Sequence, residues 1–190
     1  SRRGVAGAGA ARSATRPATL IGTRIRSSPE QAAFVNGAMI RYLDFSDDYF
    51  GQSLQAGPHP SDNIGSILAA TESVGADGKT LITATVVAYE ACAQLIDHIT
   101  LGTLGWDYPV IHAIATSLGA GKVLGLTREQ LHHALSLAVV PNICLRETRK
   151  GELSVWKGLA GPHSSRAGLM AAQLAQAGIT GPDAPFEGSA

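Results

Sequence analysis

Between Tyr108 and Leu126 the chain places Ala113, Ala115, Ser117, Gly119, Ala120 and Gly121 within one run of helical apolar spacing. A helix lined with side chains this small lets its neighbours come unusually close, so it belongs at the centre of a packed group of helices. No alternating apolar–polar pattern of useful length interrupts residues 28–180. Aromatic residues make up only 5% of the chain, a poor supply for a β-sandwich. The expected fold is therefore all-α, a multi-helix domain held by small-residue packing. With 45% hydrophobic and 16% charged residues, the chain has enough apolar material for a sizeable core.

Local signals divide the chain. Residues 1–27 contain Arg2, Arg3, Arg12, Arg16, Arg24 and Arg26, and no acid precedes Glu30. This stretch reads as a basic leader or as a helix remnant with a solvated face, with Ala18 to Gly22 a short buried extended segment. Residues 28–180 form the helical core. Ser27-Ser28-Pro29-Glu30 carries a hydroxyl cap and a first-turn proline, which starts a helix running to about Phe45. Its Asn36-Gly37-Ala38 segment is small enough to admit a neighbouring helix. After a loop at 46–58, His59-Pro60 opens a second helix; further helices are expected at about 79–99, 108–126 and from Thr127 to about Val140. Thr127 and Gln130 have the spacing of a capping box. Residues 141–162 contain Pro141, Gly151, Gly158, Gly161 and Pro162 and are expected to be mostly loop, with a last helix from Ser164 to Ala177. Gly181, Pro182 and Pro185 make residues 181–190 a linker or exit.

Lys+Arg and Asp+Glu balance at 15 each, so nothing global favours nucleic acid or an anionic membrane. Cys92 and Cys144 sit in apolar helical patterns and are expected to be buried reduced thiols of a cytoplasmic protein. There is no CxxC, no HExxH and no apolar run long enough to span a bilayer. No metal or other cofactor is expected.

The polar residues concentrate in one place. Tyr42-Leu43-Asp44-Phe45-Ser46-Asp47-Asp48 closes one helix, and His59-Pro60-Ser61-Asp62-Asn63 opens the next. Asp44 stands at a helix end, where a carboxylate meets the negative pole of the dipole, so it needs a partner or a function. Asp47 and Asp48 are site residues or ordinary turn residues. His59 is a general base oriented by a nearby carboxylate, or an N-cap histidine. Free amides at that helix start, next to Ser61 and Asp62, suit a substrate carboxylate. Lys157, beside Trp156, would neutralise a carboxylate or donate a proton; the alternative is a solvated loop lysine. Arg146, Arg149 and Lys150 are anion-binding candidates or a solvated charge run. His98, His112, His132, His133 and His163 read as structural or surface residues, with His163 close enough to the lysine loop to keep in view.

Together, the stretches Ala32 to Ala38, Leu43 to Asp48, His59 to Gly65, Lys122 to Leu126, Gly151 to Gly158 and Gly178 to Pro182 resemble the MmgE/PrpD family, in order, over about residues 20–188. That family includes 2-methylcitrate dehydratases, cis-aconitate decarboxylases and iminodisuccinate epimerases. The resemblance implies a helical domain that pairs with a smaller α/β domain absent from this chain, a homodimer in the intact protein, and chemistry without a metal or iron–sulfur cluster. It places Asp44, His59 and Lys157 at catalytic positions, and Asp48 where a threonine is often found. Asp48, Ser61 and Asp62 would bind substrate. Where decarboxylases carry a histidine, this chain has Gly105-Trp106-Asp107.

The implied function is a hydro-lyase acting on a small tricarboxylate such as 2-methylcitrate, with Lys157 on a carboxylate, His59 in acid–base work, and Asp44 orienting the histidine or holding a hydroxyl. The 190 residues taken alone would be inactive. Decarboxylation or epimerisation on the same scaffold is the enzymatic alternative, and a non-catalytic helical association domain is the alternative of another class.

Overall fold

A computed structural model describes residues 16–51 and 57–187. Its centre is the small-residue helix. This helix, Pro109–Val123, is buried along nearly its whole length. Against it lie two 21-residue helices, Gly78–His98 and Trp156–Gln176. In chain order the helices are α1 (Pro29–Arg41), α2 (Ile64–Val74), α3 (Gly78–His98), α4 (Pro109–Val123), α5 (Arg128–Val139) and α6 (Trp156–Gln176). The all-α reading holds; among the described residues the only sheet is a two-stranded hairpin of β1 (Ala18–Thr19) and β2 (Arg26–Ser27).

The glycines show why the helices can approach. A Cβ on Gly119 of α4 would stand 2.9 Å from the Ala84 carbonyl oxygen of α3, and one on Gly168 of α6 would overlap the Ala113 carbonyl oxygen of α4. On α1, Gly37 takes Pro162 of α6 on one side, while Gly65 of α2 would bring a Cβ within 2.6 Å of the Gly37 amide nitrogen. The close approach expected at Asn36-Gly37-Ala38 is therefore the joint between α1, α2 and α6.

The capping signals set the helix starts. Ser28 accepts from the Gln31 amide, Asp77 from the Thr80 amide, and Thr127 and Gln130 complete their reciprocal pair at 3.2 and 3.0 Å. Asn36 fastens the hairpin to α1, accepting from the Ile21 amide and donating to the Thr19 carbonyl, and the Glu72 carboxylate of α2 accepts from the Thr19 amide and hydroxyl. Ala18 is fully buried there, but the segment expected to be buried and extended to Gly22 is strand only through Thr19, and Ile21 and Gly22 form an exposed turn. Arg2, Arg3 and Arg12 of the basic stretch, and residues 52–56 of the loop after Asp48, lie outside the described residues.

Two expectations are corrected. α1 ends at Arg41, not Phe45; Tyr42 and Leu43 form a turn and Asp44 takes a positive φ of 54°. Aspartate is one of the few residues with a side chain that tolerates that region. The stretch 141–162 is not loop throughout, because α6 begins at Trp156 and runs through Gly158, Gly161 and Pro162. Packing overrides propensity here: Pro162 is seated on Gly37, and Gly161 is needed by Asp62. Cys144 also departs from expectation, lying half-buried outside any helix, whereas Cys92 is buried in α3; both are free thiols. No described helix is long and apolar enough to cross a membrane.

Candidate active site

The turn that ends α1 brings Asp44 to the first turn of α6. One carboxylate oxygen of Asp44 accepts from Lys157 Nζ at 2.7 Å, and the other lies 3.0 Å from the Arg41 guanidinium. Lys157, expected in a loop, is held by a helix and lies 113 residues away in sequence. The lysine contact, with Arg41 adding to it, holds the Asp44 carboxyl below its usual range despite partial burial. The need for a partner inferred from the dipole is thus met by two cations. The carboxylate is directed to them, and does not orient a histidine.

His59 stands at the entrance to the 3-10 turn Pro60–Asn63, which leads into α2. Its Nδ1 is 2.7 Å from the backbone carbonyl of Asp47. A carbonyl only accepts, so Nδ1 carries the hydrogen and Nε2 keeps its lone pair. Asp48 lies farther off, with a carboxylate oxygen 3.9 Å from Nδ1. Burial lowers the ring's pKa, which favours the neutral form; Asp48 and Asp44 oppose this. The histidine caps no helix with its side chain. The amide at this helix start is also taken: the Asp47 carboxylate accepts from the Ser61 amide at 3.1 and 3.2 Å. Asp47 is therefore the brace of the loop, while the Ser61 hydroxyl has no hydrogen-bond partner.

Asp62 does not reach the surface. Its residue exposure is 0%, and neither carboxylate oxygen has a hydrogen-bond partner. Arg41 Nε lies 3.8 Å from one oxygen and His112 Nε2 3.4 Å from the other. Burial pushes the Asp62 carboxyl up to about 7 and lowers the His112 ring to about 3. Next to it, Asn63 donates to the Pro60 carbonyl and accepts from the Thr116 hydroxyl of α4 at 2.6 Å, tying the 3-10 turn to the central helix.

Several residues of this region escaped sequence reasoning. Arg41 is 3% exposed and its guanidinium also donates to the Tyr108 hydroxyl at 3.1 Å. Nothing in the sequence separates it from an ordinary solvated arginine at a helix C-terminus. Tyr108 meets both His59 and His112 edge-on at 5.6 Å. Arg149, the middle member of the basic cluster, lies 4.5 Å over the Tyr108 ring and donates to both oxygens of Asp107 at 2.8 Å. Asp107, in the Gly105-Trp106-Asp107 stretch, is thus a buried carboxylate neutralised by an arginine. Arg146, which belongs to the same basic cluster, lies on the exposed 3-10 turn Arg146–Arg149, and Lys150 pairs with Glu147.

A cleft of about 380 Å³ opens on another face of α6, between Trp156, Ala160, His163 and the segment Pro141 to Thr148. Arg166 donates to His163 Nδ1 at 3.1 Å, and Trp156 lies 5.3 Å from the His163 ring. His163 therefore lines this cleft, with Arg166 and Trp156 as its neighbours.

Set beside known proteins, residues 3–190 match the MmgE/PrpD N-terminal domain. The chain is 34% identical over 174 residues to the 2-methylcitrate dehydratase of Escherichia coli K12, covering 84% of this chain and 35% of that protein. It is 33% identical over 138 residues to the 2-methylcitrate dehydratase of Cupriavidus necator, covering 67% and 28%. A fungal alkylcitrate dehydratase is 34% identical over 149 residues, covering 70% and 29%. The chain spans about a third of the length of these curated relatives.

Proposed function

Because the chain belongs to the MmgE/PrpD family, we propose that it supplies the helical part of a cofactor-independent hydro-lyase that removes water from a small tricarboxylic acid such as 2-methylcitrate. The observation that carries this reading is the Asp44–Lys157 contact beside a neutral His59 whose Nε2 is free to take a proton. The relatives' names support the reaction class.

Elimination next to a carboxylate builds negative charge on a carbon that stabilises it poorly. The reaction therefore needs a cation on the carboxylate and a base of matched basicity. Lys157 is the cation. Asp44 holds its ammonium in place, and a substrate carboxylate arriving at Nζ competes with Asp44 for the same donors. His59 Nε2 takes the proton, and the Asp47 carbonyl steadies the imidazolium through Nδ1–H. Arg41 supplies a second positive charge behind Asp44, so two cations face that one carboxylate. The intact protein works as a homodimer in this reading.

The test uses the protein at its full natural length, with chelator present. It is mixed with 2-methylcitrate, citrate and cis-aconitate separately, and alkene absorbance and CO₂ release are followed. Alkene formation from a hydroxy acid, reduced about 100-fold or more in His59→Ala and in Lys157→Met, is the expected result. More than about a tenth of the activity surviving in either variant would overturn the assignment. CO₂ from cis-aconitate would move the reaction to decarboxylation at the same residues.

A further inference from the structure

Asp62 is a carboxylate fully buried in the protein core. It sits where four elements meet. Arg41 of α1 is 3.8 Å from one oxygen, His112 of α4 is 3.4 Å from the other, and Asp62 itself belongs to the 3-10 turn. The fourth element is α6. A Cβ on Gly161 would overlap Asp62 Oδ2, so the carboxylate fills the notch left by that glycine, one turn after Lys157. Arg41, buried like Asp62, reaches outward from there to Asp44 at 3.0 Å and to Tyr108 at 3.1 Å, and Asp44 reaches Lys157 at 2.7 Å. The result is a chain of alternating charge from core to surface: Asp62, Arg41, Asp44, Lys157.

We infer that Asp62 is a positioning residue: by facing Arg41 from the core side, it fixes where Arg41 holds Asp44 and so sets the state of Lys157. It is not a catalytic residue, because its carboxylate is closed off from any ligand. Asp62 also differs from a purely structural core residue. Its replacement by an isosteric neutral side chain keeps the volume against Gly161 yet removes the charge that shares Arg41 with Asp44. Arg41 then draws on Asp44 alone, Lys157 loses part of its partner, and its amine is less firmly held there. His112, Asp44, Asp47 and Arg149 also act on Asp62 and are left in place in the variant. The kinetic consequence rests on the function proposed above; the effect on Lys157 does not.

The test is amine labelling of the protein at its full natural length with a small acylating reagent near pH 8, read peptide by peptide by mass spectrometry. In Asp62→Asn, Lys157 is expected to react about threefold faster or more, because its amine is released from Asp44. The exposed Lys79 and Lys122 serve as unchanged controls. Where the wild type shows lyase activity, kcat falls about tenfold with KM changed less than threefold. Equal labelling of Lys157 in a folded Asp62→Asn protein would overturn the inference, whatever the activity. Should that variant fail to fold, Gly161→Ala, which pushes on the carboxylate and leaves its charge, is labelled instead. An unchanged Lys157 there overturns the inference equally.

Discussion

Helix α6 carries two glycines whose replacement by alanine should move stability in opposite directions. Gly168 is where α6 lies closest to α4: a Cβ there would overlap the Ala113 carbonyl oxygen and come within 2.9 Å of Thr116 Cβ and 3.0 Å of the Ser117 amide nitrogen. Two of those three atoms are backbone and cannot rotate away. Overpacking of this kind costs about 1–3 kcal/mol, and a backbone obstacle puts it toward the upper end. Alanine returns about 0.8–1.0 kcal/mol of helix propensity over glycine. The net is a loss of about 1–2 kcal/mol for Gly168→Ala. Gly158, in the first turn, has no atom within 4 Å of the added carbon. There only the backbone entropy of the unfolded chain changes, and Gly158→Ala should gain about 0.4–1 kcal/mol. Both are measured by urea unfolding followed by far-UV circular dichroism, with unchanged slope as the sign that only stability moved. At about 2–4 °C per kcal/mol, the melting temperatures should separate by several degrees. A Gly168→Ala midpoint at or above wild type would refute the claim that α4 and α6 are in contact through this glycine. A destabilised Gly158→Ala would refute the claim that its surroundings are open.

The buried Asp62–His112 pair should give a pH dependence that one substitution exposes. Asp62, raised from 3.8 to about 7, contributes stability that is lost as pH rises through that window, and His112, lowered from 6.5 to about 3, contributes stability that is lost as pH falls through its own. The two slopes oppose each other between about pH 4 and 6.5, so the wild type should be nearly flat there. His112→Asn should lose stability as pH rises from about 4 to 7, and chemical denaturation at half-unit intervals would show it; a flat variant sinks the argument. Arg149→Ala leaves the buried Asp107 carboxylate without its cation and uncovers Tyr108. The expected loss, discounted for the half-exposed arginine, is about 1–3 kcal/mol in the unfolding midpoint. Arg149→Lys should recover less than half of it, because lysine has no planar guanidinium to lie on the Tyr108 ring while it meets Asp107. A lysine variant as stable as wild type would count against that geometry.

What was legible in the sequence is what local chemistry decides. Ser28 and the Thr127–Gln130 pair start helices where their side chains satisfy backbone amides. The crowd of small residues in α4 announces a central helix, and the contacts at Gly119 of α4 and Gly168 of α6 leave no room for a Cβ. Asp44, His59 and Lys157 stood out as polar residues gathered between apolar helices. The Asp44–Lys157 contact itself joins residues 113 apart and follows from tertiary packing alone. The start of α6 was misread for the same reason. Gly158, Gly161 and Pro162 look like punctuation, yet Gly161 makes room for Asp62 and Pro162 fits Gly37. Arg41 and Asp62 were illegible as a buried pair, since a charged residue carries no local mark of burial. Asp62 looked available to substrate, and the fold turns it inward.

The surroundings of the Asp44–Lys157 contact carry a last consequence. Tyr42, Leu43, Phe45 and Val155, which flank the two residues in sequence, are 84%, 75%, 98% and 84% exposed. Lys157 and Asp44 are themselves 25% and 51% exposed, so water screens the contact as it does other pairs near a protein surface, with an effective dielectric constant of about 20. Any surface that packs over those side chains expels water and lowers the local value further, which strengthens the attraction without moving either residue. The same step strengthens the pull of Lys157 on a bound carboxylate. The oily rim around the site thus works as a dimmer on its electrostatics, set by how much of it is covered.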